Sequence, residues 1–220
     1  MEIIASLKGS HKGRDVFILG NGPSINREDL SCLRGEVVIG MNASPLLDEK
    51  FSFSSSYYVV SDKRFLDHPE KSKIAASEYV EKATRVFRSE CYESYHSPLR
   101  EETFYVKSLG RSGFSKDLAL GFYFGCTTTM LAIQLAYYIG ARRIYLLGND
   151  LNYRGNQARF YSEASTQEND HFTGIQIDNI RNGYVVLREY GVELFNCSQS
   201  SLLLPYLPYK EFSHIFSKEP

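Results

Sequence analysis

The sequence predicts an α/β, Rossmann-like fold, a mostly parallel sheet with helices on both faces, and three observations predict it. Short apolar runs alternate with helical stretches along the chain. Successive runs end in small or polar residues. One helical stretch is apolar nearly all round, which marks a buried helix rather than a surface one. In open sheets of this kind ligands bind beyond the carboxyl ends of the strands, so the tips of the runs are the place to seek a site.

Asp15–Leu19 (DVFIL) is the first strand; it ends in Gly20-Asn21-Gly22-Pro23-Ser24, and residues 25–33 read as a polar helical turn or two. Residues 36–40 (EVVIG) form a second strand ending at Met41-Asn42-Ala43-Ser44, and 56–60 (SYYVV) a third ending at Ser61-Asp62-Lys63. Patterning is weaker over 68–116, where 71–83 reads as an amphipathic helix and 84–87 and 103–106 as strands. The density of Ser, Tyr, Arg and Glu there makes residues 64–116 a flexible lid or excursion over the carboxyl edge of a single domain, 1–220. Gly125-Cys126-Thr127-Thr128-Thr129 then opens the apolar helix 130–139, which is stopped by Gly140. Arg143–Leu147 (RIYLL) is a strand with Gly148-Asn149-Asp150 at its tip. A last unit has a helix over 176–190, a stop at Gly191 and a strand over 192–196.

Composition narrows the function. Among 220 residues, 25 Lys and Arg meet 26 Asp and Glu, a net charge of −1 that lacks the basic excess needed for a nucleic-acid partner. Cys32, Cys91, Cys126 and Cys197 form no C-x-x-C pair, and the five histidines show no metal-ligand spacing, so free thiols and no zinc site are expected. Residues 1–12 lack the apolar run of a secretory signal, and 130–139 is about half a bilayer span, so a cytoplasmic protein is expected.

The motifs point to a nucleotide. Gly20-Asn21-Gly22-Pro23-Ser24 has two glycines of a dinucleotide fingerprint, but Ile25 replaces the third, and the P-loop lysine motif and the G-x-S-x-G elbow are both missing from the chain. Two roles fit this loop: a tight turn with Ser24 as helix cap, or a close approach of backbone to phosphate or ribose. Thr127, Thr128 and Thr129 at a helix start add hydroxyls and N–H groups suited to an anion. Asn42, Asp62, Asn149 and Asp150 each serve a strand end, and their shared position is what makes them binding candidates. The chain contains no D-x-D pair to hold a diphosphate through a divalent cation, so a metal-free, monophosphate donor fits better.

The set formed by Gly20-Asn21-Gly22-Pro23-Ser24, Asn42, Thr127-Thr128-Thr129, residues 144–150 (IYLLGND) and Phe195-Asn196-Cys197-Ser198 with Ser201-Leu202-Leu203 resembles two related families. One is the bacterial CMP-sialic acid-dependent sialyltransferases of lipo-oligosaccharide synthesis. The other, more similar over 114–150, is named for archaeal 6-hydroxymethylpterin pyrophosphokinase and includes motility accessory factors. The resemblance covers most of the chain outside roughly 64–110.

It implies a glycosyltransferase of cell-surface polysaccharide or lipopolysaccharide synthesis, transferring a sialic-acid-type sugar from a CMP donor without a metal. Asn21 and Gly22 would lie beside ribose and phosphate, Asn42 near the cytidine–sugar junction, and Thr127, Thr128 and Thr129 along the nucleotide. Asp62 stands where the family has Asn, Asp150 matches an Asp, and Tyr153 and Tyr161 correspond to tyrosines that support the leaving phosphate. His171-Phe172-Thr173-Gly174 matches the run before the family's general base, but Ile175 holds the base position, leaving His171 as the nearby histidine to serve. The partners implied are a nucleotide-sugar and a glycan or lipid-linked acceptor, with peripheral contact at the inner membrane face; residues 202–216 would pack on the core, join a second copy or touch that membrane. Two alternatives stand beside this: a Mg²⁺-dependent pyrophosphokinase using Asp62 and Asp150, and a nucleotide-binding protein without turnover.

Overall fold

Each apolar run expected to be a strand is one in the computed structural model, which describes residues 4–152, 158–162 and 170–216. The strands are β1 (Asp15–Leu19), β2 (Val37–Met41), β3 (Tyr57–Val60), β4 (Thr84–Arg88), β5 (Phe104–Val106), β6 (Ser108–Gly110), β7 (Phe122–Tyr123), β8 (Arg143–Leu147) and β9 (Glu193–Asn196). Between them lie α1 (Pro45–Phe51), α2 (Lys63–Asp67), α3 (Pro69–Ala75), α4 (Glu78–Lys82), α5 (Thr128–Tyr138), α6 (Thr173–Glu189) and α7 (Ser213–Phe216). Seven strands pair in the order β5-β4-β3-β2-β1-β8-β9, and every pair is parallel. The strand tips therefore share one edge.

Alternation along each strand divides the core. Val16 and Ile18 of β1, with Val37 and Ile39 of β2, pack on the face covered by α5 and α6. Phe17, Leu19 and Val38 face the other way, onto Ile25, Leu30, Leu47 and Phe212. Burial on both faces is why these strands read as unbroken apolar runs. The helix expected to be buried is α5: all of its residues except Tyr137 are buried.

Three expectations are corrected. Residues 64–106 are not a lid. They supply α2, α3, α4, β4 and β5, and extend the sheet, because Val86, Phe104 and Val106 bury on one face while Phe87 joins Tyr58, Phe65 and Tyr95 on the other. Arg85 of β4 is 6% exposed, and its Nη1 donates to the carbonyls of Val80, Glu81 and Ala83. The excursion is the shorter segment 107–125, in which β6 pairs with β7 and Phe114 packs against Gly183 of α6. Second, the helix expected over 71–83 is two helices, α3 and α4, broken at Ala76-Ser77. Third, the helical turns expected over 25–33 are present as 3-10 turns, Pro23–Arg27 and Leu30–Leu33, but Ser24 caps neither. After β9, the stretch expected to pack on the core does so through Leu203, Leu207 and Phe212, while Leu202, Leu204, Tyr206 and Tyr209 are exposed.

Candidate functional site

Strand order reverses between β1 and β8, with β2 to β5 on one side and β9 on the other. The strands splay at such a point and leave a crevice beyond their carboxyl ends. Here Gly20 N donates to Leu147 O (2.8 Å) and Gly22 N to Gly148 O (2.7 Å), closing the two tips on each other. Glycine is required for this approach: a Cβ on Gly20 would run into the Gly148 carbonyl, and one on Gly22 into the Asp150 carboxylate.

Above the tips an inner compartment of about 160 Å³ opens into an outer cleft of about 820 Å³. Gly20, Gly22, Thr127, Thr128, Thr129, Asn149 and Asp150 line the inner part; Asn21, Asn42 and Asp62 line both; Tyr161 and His171 line the outer part. Thus the fold gathers nearly every residue singled out in the sequence at one edge. Ser24 is the exception, lining a separate hollow behind Asp150. Tyr153 lies outside the described residues.

Many of these side chains bind one another. Asn21, 7% exposed, donates from Nδ2 to Met41 O and accepts at Oδ1 from Ala43 N, so it bridges the β1 and β2 tips. Asp150 accepts from Ser24 N (2.9 Å), Ser24 Oγ (2.5 Å) and Ser198 Oγ (2.8 Å), which fixes the loop after β1 and the turn after β9. Thr127 caps α5 by accepting from Thr129 N; Thr129 Oγ1 donates to Asn149 Oδ1 (2.7 Å), and Thr128 Oγ1 pairs with Ser61 Oγ (2.8 Å). The start of α5 is thereby bolted to the tips of β3 and β8. Asp62 caps α2 and holds Arg64 through both carboxylate oxygens, raising the guanidinium pKa above its ordinary value.

Two acceptors in the compartment are left over. Asn42 takes a left-handed φ of 51°, its carbonyl accepting from Tyr58 Oη (2.6 Å), and its Oδ1 is buried without a hydrogen-bond partner. Gln176, on the first turns of α6, donates from Nε2 to Cys126 O and Asp170 Oδ2, and its Oε1 is likewise buried and unpaired. An unsatisfied buried acceptor costs about 1–3 kcal/mol, so each of these amides gains by turning toward a donor that enters the compartment.

Several lining residues carry no motif and are missing from the sequence reading: Gln176, Asp170, Phe124, Arg64, Arg88 and Arg111. Four of these belong to stretches whose position depends on tertiary contacts, and no periodicity announces them. Of the cysteines, all free, Cys126 lines the compartment, whereas burial pushes Cys91 and Cys197 up to about 12.

No known family model matches the chain. A probable 3-deoxy-manno-octulosonic acid transferase of Salmonella typhimurium LT2 is 26% identical over 199 residues, covering 74% of this chain and 73% of the relative. Among solved structures, the MAf glycosyltransferase of Magnetospirillum magneticum AMB-1 matches 94% of this chain with a TM-score of 0.57 at 19% identity, and the chain spans 37% of that protein. The sialyltransferase CstII of Campylobacter jejuni, solved with cytidine-5'-monophosphate, is a looser likeness: TM-score 0.45 and 16% identity over 90% of this chain and 85% of its own. The chain thus shares the Rossmann-like fold of the MAf glycosyltransferase, and the resemblance read from the motifs holds at the level of fold.

Proposed function

We propose that this chain is a glycosyltransferase of cell-surface glycan synthesis that takes a sialic-acid-type sugar from a CMP donor and passes it to a glycan or lipid-linked acceptor at the inner membrane face. The observation that carries the reading is the pair of unpaired buried acceptors, Asn42 Oδ1 and Gln176 Oε1, in a compartment that also contains the N-terminus of α5. A nucleoside monophosphate answers both demands: its ribose hydroxyls and base amine donate, and its phosphate meets the positive end of a helix dipole. The names of the Salmonella relative and of the MAf protein place both among glycosyl-type transferases, which supports the same class.

The chemistry follows from charge. The bond from the anomeric carbon to the phosphate oxygen breaks, CMP departs with the electron pair, and the sugar passes through an oxocarbenium-like state. In this reading the start of α5 receives the phosphate's growing negative charge, and Tyr161, from the outer cleft, is the tyrosine that would support it. An acceptor hydroxyl attacks from the outer cleft and yields its proton to His171, which lines that cleft. Asp170 precedes it, its carboxylate fixed by Phe172 N (2.9 Å) and Gln176 Nε2 (2.7 Å). The Mg²⁺-dependent alternative requires partners to be given up, since Asp150 already accepts from three donors and Asp62 from Arg64. Incubation with CMP-N-acetylneuraminate tests the reading. It expects free CMP to appear in EDTA and to fall about 10²-fold in His171→Ala; an unchanged rate in that variant would remove His171 as the base, and no CMP release from the wild type would remove the reaction.

A further inference from the structure

The cations of the cleft are unevenly placed. Lys71, Arg88 and Arg111 line the outer cleft alone, Arg64 and Arg159 stand where it meets the inner compartment, and the inner compartment has no cation of its own among the described residues. Five cations there face two carboxylates, Asp62 and Asp170, in a chain whose net charge is −1. Such a concentration in a concave site raises the local concentration of anions. Two of the three outer cations also have capacity to spare. Arg88 is paired with Glu90 (2.6 Å) and lies 4.4 Å over the Phe124 ring, yet its Nε is buried without an acceptor. The Arg111 side chain makes no hydrogen bond or ion pair among the described residues; its guanidinium is 6.0 Å from the Phe172 ring.

The donor does not account for these groups. On the donor reading its phosphate is met at the start of α5, which leaves Arg64 and Arg159, at the junction, for a carboxylate on the transferred sugar. We infer that the acceptor is itself an anionic sugar, bearing a phosphate or carboxylate that Lys71, Arg88 and Arg111 hold while its hydroxyl faces the donor. This rests on the donor reading, because that reading assigns the inner compartment to the nucleotide. Guanidinium groups suit the role, since their fork matches both anions, and the Phe124 and Phe172 faces beside them suit a sugar ring.

The test uses protein saturated with CMP and titrated with glucose 6-phosphate, glucuronate and glucose as probes. The inference expects both anionic sugars, or one of them, to bind at least tenfold more tightly than glucose, and the advantage to fall at least tenfold in Arg111→Gln and in Lys71→Gln with CMP affinity unchanged. Equal binding of the three sugars, binding of none, or an advantage untouched in both variants overturns it. Competition between the anionic sugars and CMP also overturns it, because the anions would then occupy the donor compartment. If CMP fails to bind while the anionic sugars bind and respond to the variants, the donor reading falls and the anion site stands.

Discussion

Asn42 is the residue on which the nucleotide reading leans most. Its left-handed backbone suits glycine, so Asn42→Gly removes the unpaired Oδ1 without straining the turn. CMP affinity is expected to fall roughly tenfold, the worth of one hydrogen bond to a buried acceptor, with the melting temperature nearly unchanged; equal affinity in calorimetry would show that the acceptor faces no ligand. Asp48 has a different part. It is 1% exposed, accepts from Ser55 N (2.7 Å) and Ser55 Oγ (3.0 Å), and burial raises its pKa from 3.8 to about 6. A carboxyl raised in this way favours the folded state most below its unfolded value and loses that contribution as pH climbs through about 6. The loss is on the order of 3 kcal/mol. Asp48→Asn keeps an acceptor for Ser55 N and places a donor against Ser55 Oγ, so unfolding curves taken from pH 4 to pH 7 are expected to lose this group's slope; an unaltered slope would assign it elsewhere.

At the scale of elements, the site depends on how closely the β1 and β8 tips approach. Gly22→Ala is expected to destabilise by about 1–3 kcal/mol, as overpacking does, because the Asp150 carboxylate it meets is held by Ser24 and Ser198 and has nowhere to swing. A variant with wild-type stability in denaturant melts would mean that this loop yields. The elements around this junction are the ones legible in the sequence. β1, β2, β3 and β8 are buried on both faces and read as apolar runs, and α5 is apolar all round, so pattern alone marks them. Within 64–106 the strands were legible, but their place at the edge of the main sheet was not, because polar residues there find internal partners, as Arg85 does with three carbonyls. The helix expected over 71–83 failed for a related reason: the apolar spacing continues past Ala75, but α4 turns to bury Val80 against Phe87.

For the whole molecule, the division of the cleft matters more than any one side chain. Motif residues at the strand tips were found from the sequence because tips follow from strands, whereas the outer cations come from α3, β4 and the 107–125 excursion, which only the fold brings together. On the proposed reading the two compartments take two ligands: an inner space lined by amides, hydroxyls and the carboxylates of Asp62, Asp150 and Asp170 takes a nucleoside monophosphate, and the cationic outer cleft takes an acceptor. Charge balance over the chain conceals this, since a net charge of −1 says nothing about where the cations lie.

Calorimetric titration with CMP in EDTA, repeated with ATP and Mg²⁺, tests the central claim most directly. The account predicts saturable CMP binding at one site without metal, and no displacement of CMP by ATP with Mg²⁺. Absence of CMP binding together with Mg²⁺-dependent ATP binding would contradict it.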